Sequence, residues 1–454
     1  MALVHDRGVR TPGGEFAPPA GPALDRRASE RPSLDRPASD RPAPVEWDDA
    51  RVAAHGVAVP VPPRAVSLAA ALGCVLAEPV RALVAIPPAD CSAMDGYAVC
   101  GDGPWTVVSS ARAGEERAAP LHPGTACEIA TGAAVPAGTL AVLPYEKSRR
   151  TGDVITGAIE PGRHVRRAGE ECATGDEVLA PGGPLGPAAL GLAAALGHDR
   201  LLVRPTPRVC ALVTGNEVIE SGLPASGRVR DAIGPMLPGL TGWAGGWFEG
   251  VTRLADSAPV LRAALAAADA ELVVVSGSSS RGPADHLRPV LLALGARLVV
   301  DGVRCRPGHP QAMAQLPDGR LVVGLPGNPL AAFVAFLTLA LPAVTGLRGL
   351  PLTELPAAPA PIAPAPVPGA AQAHEHGHGH GHEQSHGNGL GPAHGPGRQG
   401  GGRGGTRLIP VRLCGGAPVE LPHTGSAMLR GLAAADALAV VTPDGHTRLH
   451  PLPR

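Results

Sequence analysis

Residues Glu271–Phe336 read ELVVVSGSSSRGPADHLRPVLLALGARLVVDGVRCRPGHPQAMAQLPDGRLVVGLPGNPLAAFVAF. Two β-branched runs in this stretch, Leu272–Val275 and Leu321–Leu325, are typical of buried strands. Each run ends in a loop that contains glycine, and an apolar segment of helical length follows the loop. A third run, Arg297–Val300, ends in the basic loop Arg304–Pro310. The stretch therefore predicts an α/β domain built on a mostly parallel sheet.

The loops after the first two runs are rich in small residues. The first is Ser276–Gly282, with sequence SGSSSRG, and the second is Leu325–Pro329, with sequence LPGNP. In an open parallel sheet, the loops at the carboxyl ends of the strands converge on one crevice, where ligands usually bind. Small residues let backbone N–H groups approach an anion closely, and a helix N-terminus adds the positive end of its dipole. We therefore expect this crevice to bind an anionic ligand that carries a phosphate.

The composition argues against several functional classes. The chain has 454 residues, enough for several domains, and its aromatic content of 2% leaves few stacking platforms for single-stranded nucleic acid. A net charge of −1 gives no general attraction to DNA or to anionic lipid. Eight cysteines without a C-x-x-C pair indicate neither a disulfide framework nor a zinc ribbon. We expect no signal peptide and no apolar run of membrane-spanning length, so the sequence predicts a cytoplasmic protein without nucleic-acid or membrane partners.

The N-terminal part of the chain divides into a tail and a structured region. Residues 1–44 are rich in Arg, Asp, Pro, Ala and Ser, which is typical of a disordered tail and favours that interpretation over a binding motif. Residues 45–206 form an N-terminal region, in which the apolar run Ala65–Leu76 favours a helix. This region contains a small β-rich lobe at about residues 87–165 and a second predicted helix at Leu185–Leu196.

The C-terminal part begins with the α/β domain, at residues 207–350. Residues 351–405 form a low-complexity linker rich in Pro, Gly and His. Its alternating histidines could bind Ni²⁺ or Zn²⁺ loosely, but a plain solvated linker is the favoured interpretation. Residues 406–454 predict a small β-rich domain with strands at Leu408–Leu413 and Ala437–Val441.

Five short motifs occur in one order along the chain. They are SAMDGYA at Ser92–Ala98, ATGA at Ala130–Ala133, RRAGE at Arg166–Glu170, TGNE at Thr214–Glu217 and LPGNP at Leu325–Pro329. Together they resemble the molybdopterin molybdenumtransferase family, the gephyrin-like molybdenum insertases of cofactor biosynthesis, and the first motif is highly specific to it. The resemblance covers about Val45–Leu350 and, more weakly, Thr406–Pro453, as in a divergent member.

The resemblance implies a fold, an assembly and a reaction. It implies a homodimer in which a central α/β molybdopterin-binding domain forms the cleft and the partner's N-terminal region completes it. Adenylylated molybdopterin and molybdate would bind there, molybdenum would enter at the dithiolene sulfurs, and AMP would be released with the help of Mg²⁺. It also implies two kinds of protein partner, the molybdopterin adenylyltransferase and the recipient molybdoenzymes.

The same resemblance assigns candidate site residues. The catalytic carboxylates are Asp95, Glu217, Asp231 and Asp285, and the last three are also the candidate Mg²⁺ ligands. Asp285 also fits the N-cap of a helix that begins at His286. Small residues for the phosphate are Gly277, Ser278, Ser280, Gly282, Gly327 and Asn328. Positive charge for molybdate comes from Arg306 and His309, with Arg166 (beside Glu171) and Arg407 as further candidates. Thr131 and Ser426 match positions that line the same cleft.

Several positions near the cleft depart from the family pattern, and one is the segment Gly138–Leu140, which lacks an acidic residue. The others are single residues. They are Cys91, Cys100, Asn216, Ser278, Pro283 and His309. The loss of acidic residues at Asn216 and Pro283, and of a lysine at His309, favours an alternative function, a non-catalytic carrier or scaffold for the pterin or the finished cofactor. A third interpretation, a nickel or zinc metallochaperone, depends on the histidine-rich linker alone.

Overall fold

The computed structural model describes residues 43–277, 286–365, 404–423 and 425–453. The predictions for the N-terminal tail up to residue 42 and for the histidine-rich part of the linker lie outside these residues. So do the site predictions for Ser278, Ser280, Gly282 and Asp285, and the departure at Pro283.

Helix α1, Trp47–Gly56, packs into the core of the α/β domain. Acidic residues in its first turn complement the helix dipole, and Trp47, Ala50 and Ala54 form its buried face at helical spacing. The indole Nε1 of Trp47 donates a 2.9 Å hydrogen bond to Thr338 Oγ1 in the last helix of that domain. The first helix of the described chain is therefore part of a core whose other residues come from much later in the sequence.

Short strands dominate the rest of the N-terminal region. The elements are β1 (Arg64–Ser67), β2 (Val75–Leu76), β3 (Val80–Arg81), β4 (Cys91–Ser92), β5 (Gly96–Cys100), β6 (Trp105–Ala111), β7 (Thr125–Ile129), β8 (Ala141–Pro144), β9 (Ser148–Thr151), β10 (Val154–Gly157), β11 (Val165–Arg166), β12 (Glu177–Leu179), α2 (Pro187–Ala195) and β13 (Arg200–Arg204). One sheet has the order β1-β13-β2, while β12 pairs with β3. The lobe is a six-stranded sheet in the order β8-β5-β7-β6-β10-β9, and β11 pairs with β4 beside it.

The helix predicted over Ala65–Leu76 is wrong. β1 pairs with β13 in antiparallel register, and a 3-10 turn at Leu68–Ala70 and a glycine with positive φ, Gly73, follow it. Because pairing with a distant strand decides the state of a short apolar run, its local pattern alone was misleading.

The α/β domain contains the stretch that opened the sequence analysis. Its elements are β14 (Arg208–Thr214), β15 (Val218–Ile219), β16 (Val229–Arg230), α3 (Leu237–Ala244), β17 (Trp247–Leu254), α4 (Ala258–Ala267), β18 (Leu272–Ser276), α5 (Leu287–Ala293), β19 (Arg297–Asp301), β20 (Cys305–Arg306), β21 (Ala312–Gln315), β22 (Leu321–Leu325), α6 (Pro329–Ala335) and α7 (Leu341–Leu347). The main sheet has the order β17-β14-β18-β22-β21-β19. The first four of these strands are parallel, and β21 is antiparallel to both of its neighbours. β19 therefore runs in the same direction as β22, and the loops after β18, β22 and β19 leave one edge of the sheet.

A single apolar helix runs through the centre of this domain. Helices α6 and α7, joined by a π-helical turn at Phe336–Ala340, form a continuous 19-residue helix, Pro329–Leu347. Its length and composition would suffice to cross a membrane, so the expectation that no run is this long is wrong. The share of its apolar window that is buried inside the protein is 94%, so it is the core helix of the domain.

The C-terminal sheet is completed by a strand from the α/β domain. Its elements are β23 (Thr406–Cys414), β24 (Ala417–Glu420), α8 (Arg430–Ala433), β25 (Ala437–Val441) and β26 (Thr447–Pro451). The order is β20-β23-β25-β26, and β24 pairs with the other part of β23. Residues 351–365, at the start of the predicted linker, pair with this sheet through Ala357 with Arg448 and Ala363 with Val419.

Candidate functional site

The loops after β18 and β22 contact each other at two glycines. Gly277 has φ of +89°, and a Cβ there would lie 2.5 Å from Thr214 Oγ1 and 2.9 Å from Thr214 O. A Cβ on Gly327 would lie 3.8 Å from the Cα of Gly277. Only glycine combines this backbone conformation with this close approach. The two predicted phosphate loops are therefore neighbours, and Gly277 fixes how closely the first approaches the end of β14.

The C-terminal domain contacts the same edge through Ser426. Asn328 stands just before α6, but its side chain does not cap that helix; its Nδ2 donates a 3.2 Å hydrogen bond to Ser426 Oγ. The backbone N–H of Ala331, in the first turn of α6, donates to the carbonyl of Ser426 at 3.1 Å. Gly277, Gly327, Asn328 and Ser426 thus form one continuous wall.

Two arginines lie side by side next to this wall. Arg306 and Arg407 occupy paired positions on the parallel strands β20 and β23, and both are exposed. They line a pocket of about 380 Å³ together with Pro307, Leu408, Ile409, Glu420 and Ser426. Within the described part of the chain neither guanidinium has an ion-pair partner. Like charges at paired positions of a sheet are destabilising, so this arrangement is what an anion-binding pocket requires.

Glu420 is the acidic residue that lines this pocket, and it makes no ion pair with either arginine within the described residues. Burial raises the pKa of Cys305 to about 12, so this thiol stays neutral beside Arg306. His309 does not line the pocket: its Nδ1 lies 2.8 Å from the carbonyl oxygen of Val303 in the same loop. The structure therefore brings Arg306, Arg407 and Ser426 together and turns the ring of His309 back onto its own loop.

Asp231 is engaged in structural contacts. Its Oδ1 accepts hydrogen bonds from the N–H groups of Ile233 and Gly234, at 3.0 and 2.8 Å. Its Oδ2 accepts one from Arg253 at 3.0 Å, and the side chain is 3% exposed. These contacts favour a role in starting the helical turn before α3 over the predicted catalytic and metal-binding role.

Glu217 has a different environment. It is exposed, and its carboxylate oxygens lie 3.1 Å from where a Cβ on Gly215 would stand. Glu217 precedes β15, and Asp231 follows β16. Because Val218 is paired with Val229, these two positions are three residues apart along the paired strands. That separation is about 10 Å of strand. No group of three His, Cys, Asp or Glu residues able to hold a metal occurs among residues 43–277, 286–365, 404–423 and 425–453.

Asn216 has a structural explanation. Its N–H donates to Asp256 Oδ2 at 3.1 Å, and its own Oδ1 accepts from the N–H of Asp256 at 3.2 Å. An aspartate at 216 would put a second carboxylate beside Asp256, and like charges at this distance repel. The amide at 216 therefore suits the presence of Asp256.

In the lobe, Asp95 and Thr131 come together although they are distant in sequence. The carboxylate of Asp95 accepts a 2.7 Å hydrogen bond from the N–H of Thr131, and both residues are exposed. Next to them the Tyr145 hydroxyl donates to Glu128 at 2.8 Å, and Arg150 contacts the other oxygen of Glu128 at 3.1 Å. Burial, followed by the neighbouring Glu128, raises the pKa of Tyr145 to about 12. No motif or spacing in the sequence indicated this Tyr–Glu–Arg cluster.

In the segment that contains the candidates Arg166 and Glu171, the arginine held by a carboxylate is Arg167. Arg167 Nη1 donates to Asp90 Oδ2 at 2.7 Å, and the N–H of Ala168 donates to Asp90 Oδ1 at 2.8 Å. Arg166 lies on β11, opposite Cys91, and is exposed, as is Glu171. The arginine that a carboxylate orients in this motif is therefore Arg167, and the carboxylate is Asp90, 77 residues earlier.

The contacts of Asp90 predict a pH-dependent stability. The N–H of Ala168 and then the guanidinium of Arg167 lower the pKa of Asp90 below its usual value. Its contribution is therefore complete above the unfolded pKa of about 3.9 and is lost as the pH falls through the lower folded value. We expect Asp90→Asn to lower the free energy of unfolding at neutral pH by about 1 kcal/mol, with the loss disappearing in acid.

Urea unfolding of both proteins between neutral pH and about pH 3 measures this difference. Asp153→Asn is the control, because that carboxylate is 82% exposed and its ion pair with Arg150 is long, at 3.9 Å. A loss for Asp90→Asn that stays constant across the pH range would contradict the ionic role of Asp90.

Two family models match the chain in the order of its domains. Residues 45–197 match the MoeA N-terminal region (domain I and II), and residues 210–346 match a probable molybdopterin binding domain. The chain is therefore a multidomain protein whose α/β domain is of the molybdopterin-binding type. A crystal structure of the molybdopterin biosynthesis moeA protein from Pyrococcus horikoshii OT3 has the same fold, with a TM-score of 0.63 and 21% identity, over 90% of this chain and 98% of that one.

Curated relatives identify the family. Molybdopterin molybdenumtransferase 2 of Mycobacterium tuberculosis is 36% identical over 311 residues, which cover 64% of this chain and 76% of the relative. The molybdopterin molybdenumtransferase of Nostoc sp. is 32% identical over 302 residues, 63% of this chain and 69% of the relative. The chain belongs to the molybdopterin molybdenumtransferase family, as its motifs predicted.

Proposed function

We propose that this protein is a transferase of molybdenum cofactor biosynthesis, which inserts molybdenum from molybdate into adenylylated molybdopterin in the cytoplasm and releases AMP. Membership of the family supports the class of reaction. The observation that carries the proposal is the pair Arg306 and Arg407, which have no ion-pair partner among the described residues and line one pocket beside Ser426.

Each part of the substrates has a matching surface. Gly277, Gly327 and Asn328 form the wall for the pterin phosphate, since small residues let the backbone approach an anion closely. Molybdate is a dianion, and the guanidinium groups of Arg306 and Arg407 hold it by charge-assisted hydrogen bonds. Fixed positive charge in this position also stabilises negative charge that develops during transfer.

Mg²⁺ fits this site through Glu217. The ion usually binds through one or two carboxylates together with substrate phosphates, and Glu217 offers an exposed carboxylate at the end of the Thr214–Glu217 motif. When bound, Mg²⁺ would supply positive charge to the phosphoanhydride of the substrate. Asp231 is not needed for this role, because it already has three hydrogen-bond donors.

We also propose a homodimer in which Asp95 and Thr131 of one subunit complete the cleft of its partner. Their exposure on the lobe supports this, because an exposed carboxylate held by a backbone N–H is fixed and available to a second chain. A single subunit in solution that keeps full activity would contradict the shared cleft.

AMP release tests the reaction. The purified protein, supplied with adenylylated molybdopterin, molybdate and Mg²⁺, is expected to release AMP and to yield cofactor that activates a cofactor-free molybdoenzyme. Glu217→Gln is expected to raise the Mg²⁺ concentration for half-maximal rate about tenfold or more. The matched control is Glu220→Gln, whose carboxylate pairs with Arg253 at 3.1 Å. No AMP above background from folded protein would refute the proposal, and equal Mg²⁺ requirements would refute the role of Glu217.

The second candidate function is a carrier that binds the pterin without catalysis. The ring of His309 and the amide of Asn216 favour it, because both residues make internal contacts where the family pattern has a lysine and an aspartate. Tight pterin binding without AMP release distinguishes the carrier from the transferase.

A further inference from the structure

A second pocket lies apart from the arginine pair. It has a volume of about 420 Å³ and is formed by α1, α3, α7, the segment after α7 and the end of β26. Much of its wall is apolar, with contributions from Trp243, Leu341, Pro342, Leu352 and Leu355. Pockets of this volume suit small organic molecules. None of the residues assigned to molybdenum transfer lines it.

Two arginines line this pocket, and their charge is poorly compensated. Arg51 is 5% exposed; its Nη2 donates to the carbonyl of Thr353 at 2.8 Å, and its Nε has no hydrogen-bond partner in the described chain. Asp48 lies 3.8 Å from Arg51, but it pairs with Arg448 at 2.6 Å. The carboxylate of Asp48 is thus shared between two cations.

Arg348 is the second arginine of this pocket. Its Nη2 donates to the carbonyl of Gly73 at 3.1 Å, its Nε has no hydrogen-bond partner, and no carboxylate contacts it within the described residues. Gly245, with φ of +82°, lets the guanidinium pack against its Cα, since a Cβ there would lie 2.5 Å from Arg348 Cζ. Arg348 is half-buried, and a partly desolvated cation without a counter-ion is unfavourable, so the pocket wall carries positive charge that an anion would neutralise.

His450 adds a polar atom without a partner. The side chain is 2% exposed, its Nδ1 contacts the carbonyl of Pro451 at 2.9 Å, and its Nε2 has no hydrogen-bond partner in the described chain. Burial lowers the pKa of His450 to about 4, so the ring is neutral at pH 7 and the unpaired Nε2 is an acceptor. The ring of Trp243 lies 5.8 Å from the imidazole, centroid to centroid.

We propose that this pocket is a binding site for a small organic carboxylate with an apolar body. Its carboxylate would lie at Arg348 and Arg51, while its hydrocarbon part would pack on Trp243, Leu341 and Leu352. Two cations with less than one full counter-charge select an anion, and the apolar wall selects against inorganic anions, which keep their hydration. The site is separate from molybdenum transfer and does not depend on it.

Three probes test the ligand class: 4-phenylbutyrate, its neutral analogue 4-phenyl-1-butanol, and inorganic phosphate. With the full-length protein, titration calorimetry and tryptophan fluorescence are expected to show that phenylbutyrate binds about tenfold or more tightly than either comparison compound. Trp243→Phe is expected to remove most of the fluorescence change while calorimetry still detects binding. Equal affinity for the acid and the alcohol, or no binding of the acid at millimolar concentration, would overturn the proposal.

Two variants test the position of the ligand. Arg348→Gln is expected to weaken phenylbutyrate about tenfold and to leave phenylbutanol unchanged. The control is Arg200→Gln, because Arg200 also donates to a backbone carbonyl, that of Ala65 at 2.7 Å, but lies outside the pocket. Leu352→Trp, at the half-buried rim, fills the pocket and is expected to abolish binding with the melting temperature little changed. Unaltered binding to a folded Arg348→Gln or Leu352→Trp protein would refute this position.

Discussion

Replacing both Arg306 and Arg407 with glutamine is expected to lower the rate of molybdate-dependent AMP release about 100-fold or more. The physical reason is the loss of fixed positive charge at the place where a dianion binds and reacts, and removal of one such donor alone commonly costs two to three orders of magnitude in rate. Stability should not fall, because both side chains are exposed and their mutual repulsion is relieved. Steady-state AMP release and urea unfolding of the same preparation separate the two effects.

The control for this pair is Arg412→Gln. Arg412 is on the same strand, β23, it is exposed, and it contacts the backbone carbonyl of Ala434 at 3.4 Å, away from the pocket. If the double variant and Arg412→Gln have the same rate, the arginine pair has no part in transfer. A rate that recovers fully at high molybdate concentration would limit the pair to substrate binding.

Gly277→Ala is expected to destabilise the protein by about 2 to 5 kcal/mol and to abolish AMP release. The positive φ of +89° costs a residue with a Cβ about 1 to 2 kcal/mol. The contact of that Cβ with Thr214, at 2.5 Å from Oγ1, adds about 1 to 3 kcal/mol of overpacking. Because β18 lies between β14 and β22 in the sheet, relief of the contact with Thr214 shifts the loop from the end of β14 towards Gly327, which distorts the phosphate wall.

Gly319→Ala is the matched control for this substitution. Gly319 has φ of +92°, but a Cβ there would have no atom within 4 Å. It should therefore show the backbone cost alone, about 1 to 2 kcal/mol in urea unfolding, with activity retained. Equal losses of stability in the two variants would mean that the contact with Thr214 is not a constraint on the loop.

Patterns within one stretch of chain were sufficient to predict the α/β core. The run Leu321–Leu325 forms β22 with the predicted limits, and Leu272–Val275 extends by one residue into β18. Each run is β-branched and bounded by turn residues, so its state is decided locally and by burial. The predicted convergence of the glycine loops follows from parallel pairing of these two strands.

Features that depend on pairing between distant segments could not be predicted in the same way. Strand β20 has two residues and no alternating pattern, so nothing in its sequence indicates that Arg306 pairs with Arg407 of β23. The same limit applies to Asp90 with Arg167 and to Asp231 with Arg253. The resemblance named the motif of Arg167 and the single residue Asp231, but it indicated neither partner. These contacts determine which charged groups are available to bind a ligand.

The predicted domain boundaries remain predictions. The position of helix α1 bears on the boundary at residue 207. Trp47 fills a space beside Phe336 and Val344, and Asp48 pairs with Arg448 of β26. A fragment cut at residue 207 would lose the indole from its core and expose the apolar side of the central helix, which favours aggregation. Folding of the α/β domain therefore requires residues from both ends of the described chain, and a protein truncated before β26 loses the ion pair between α1 and Arg448.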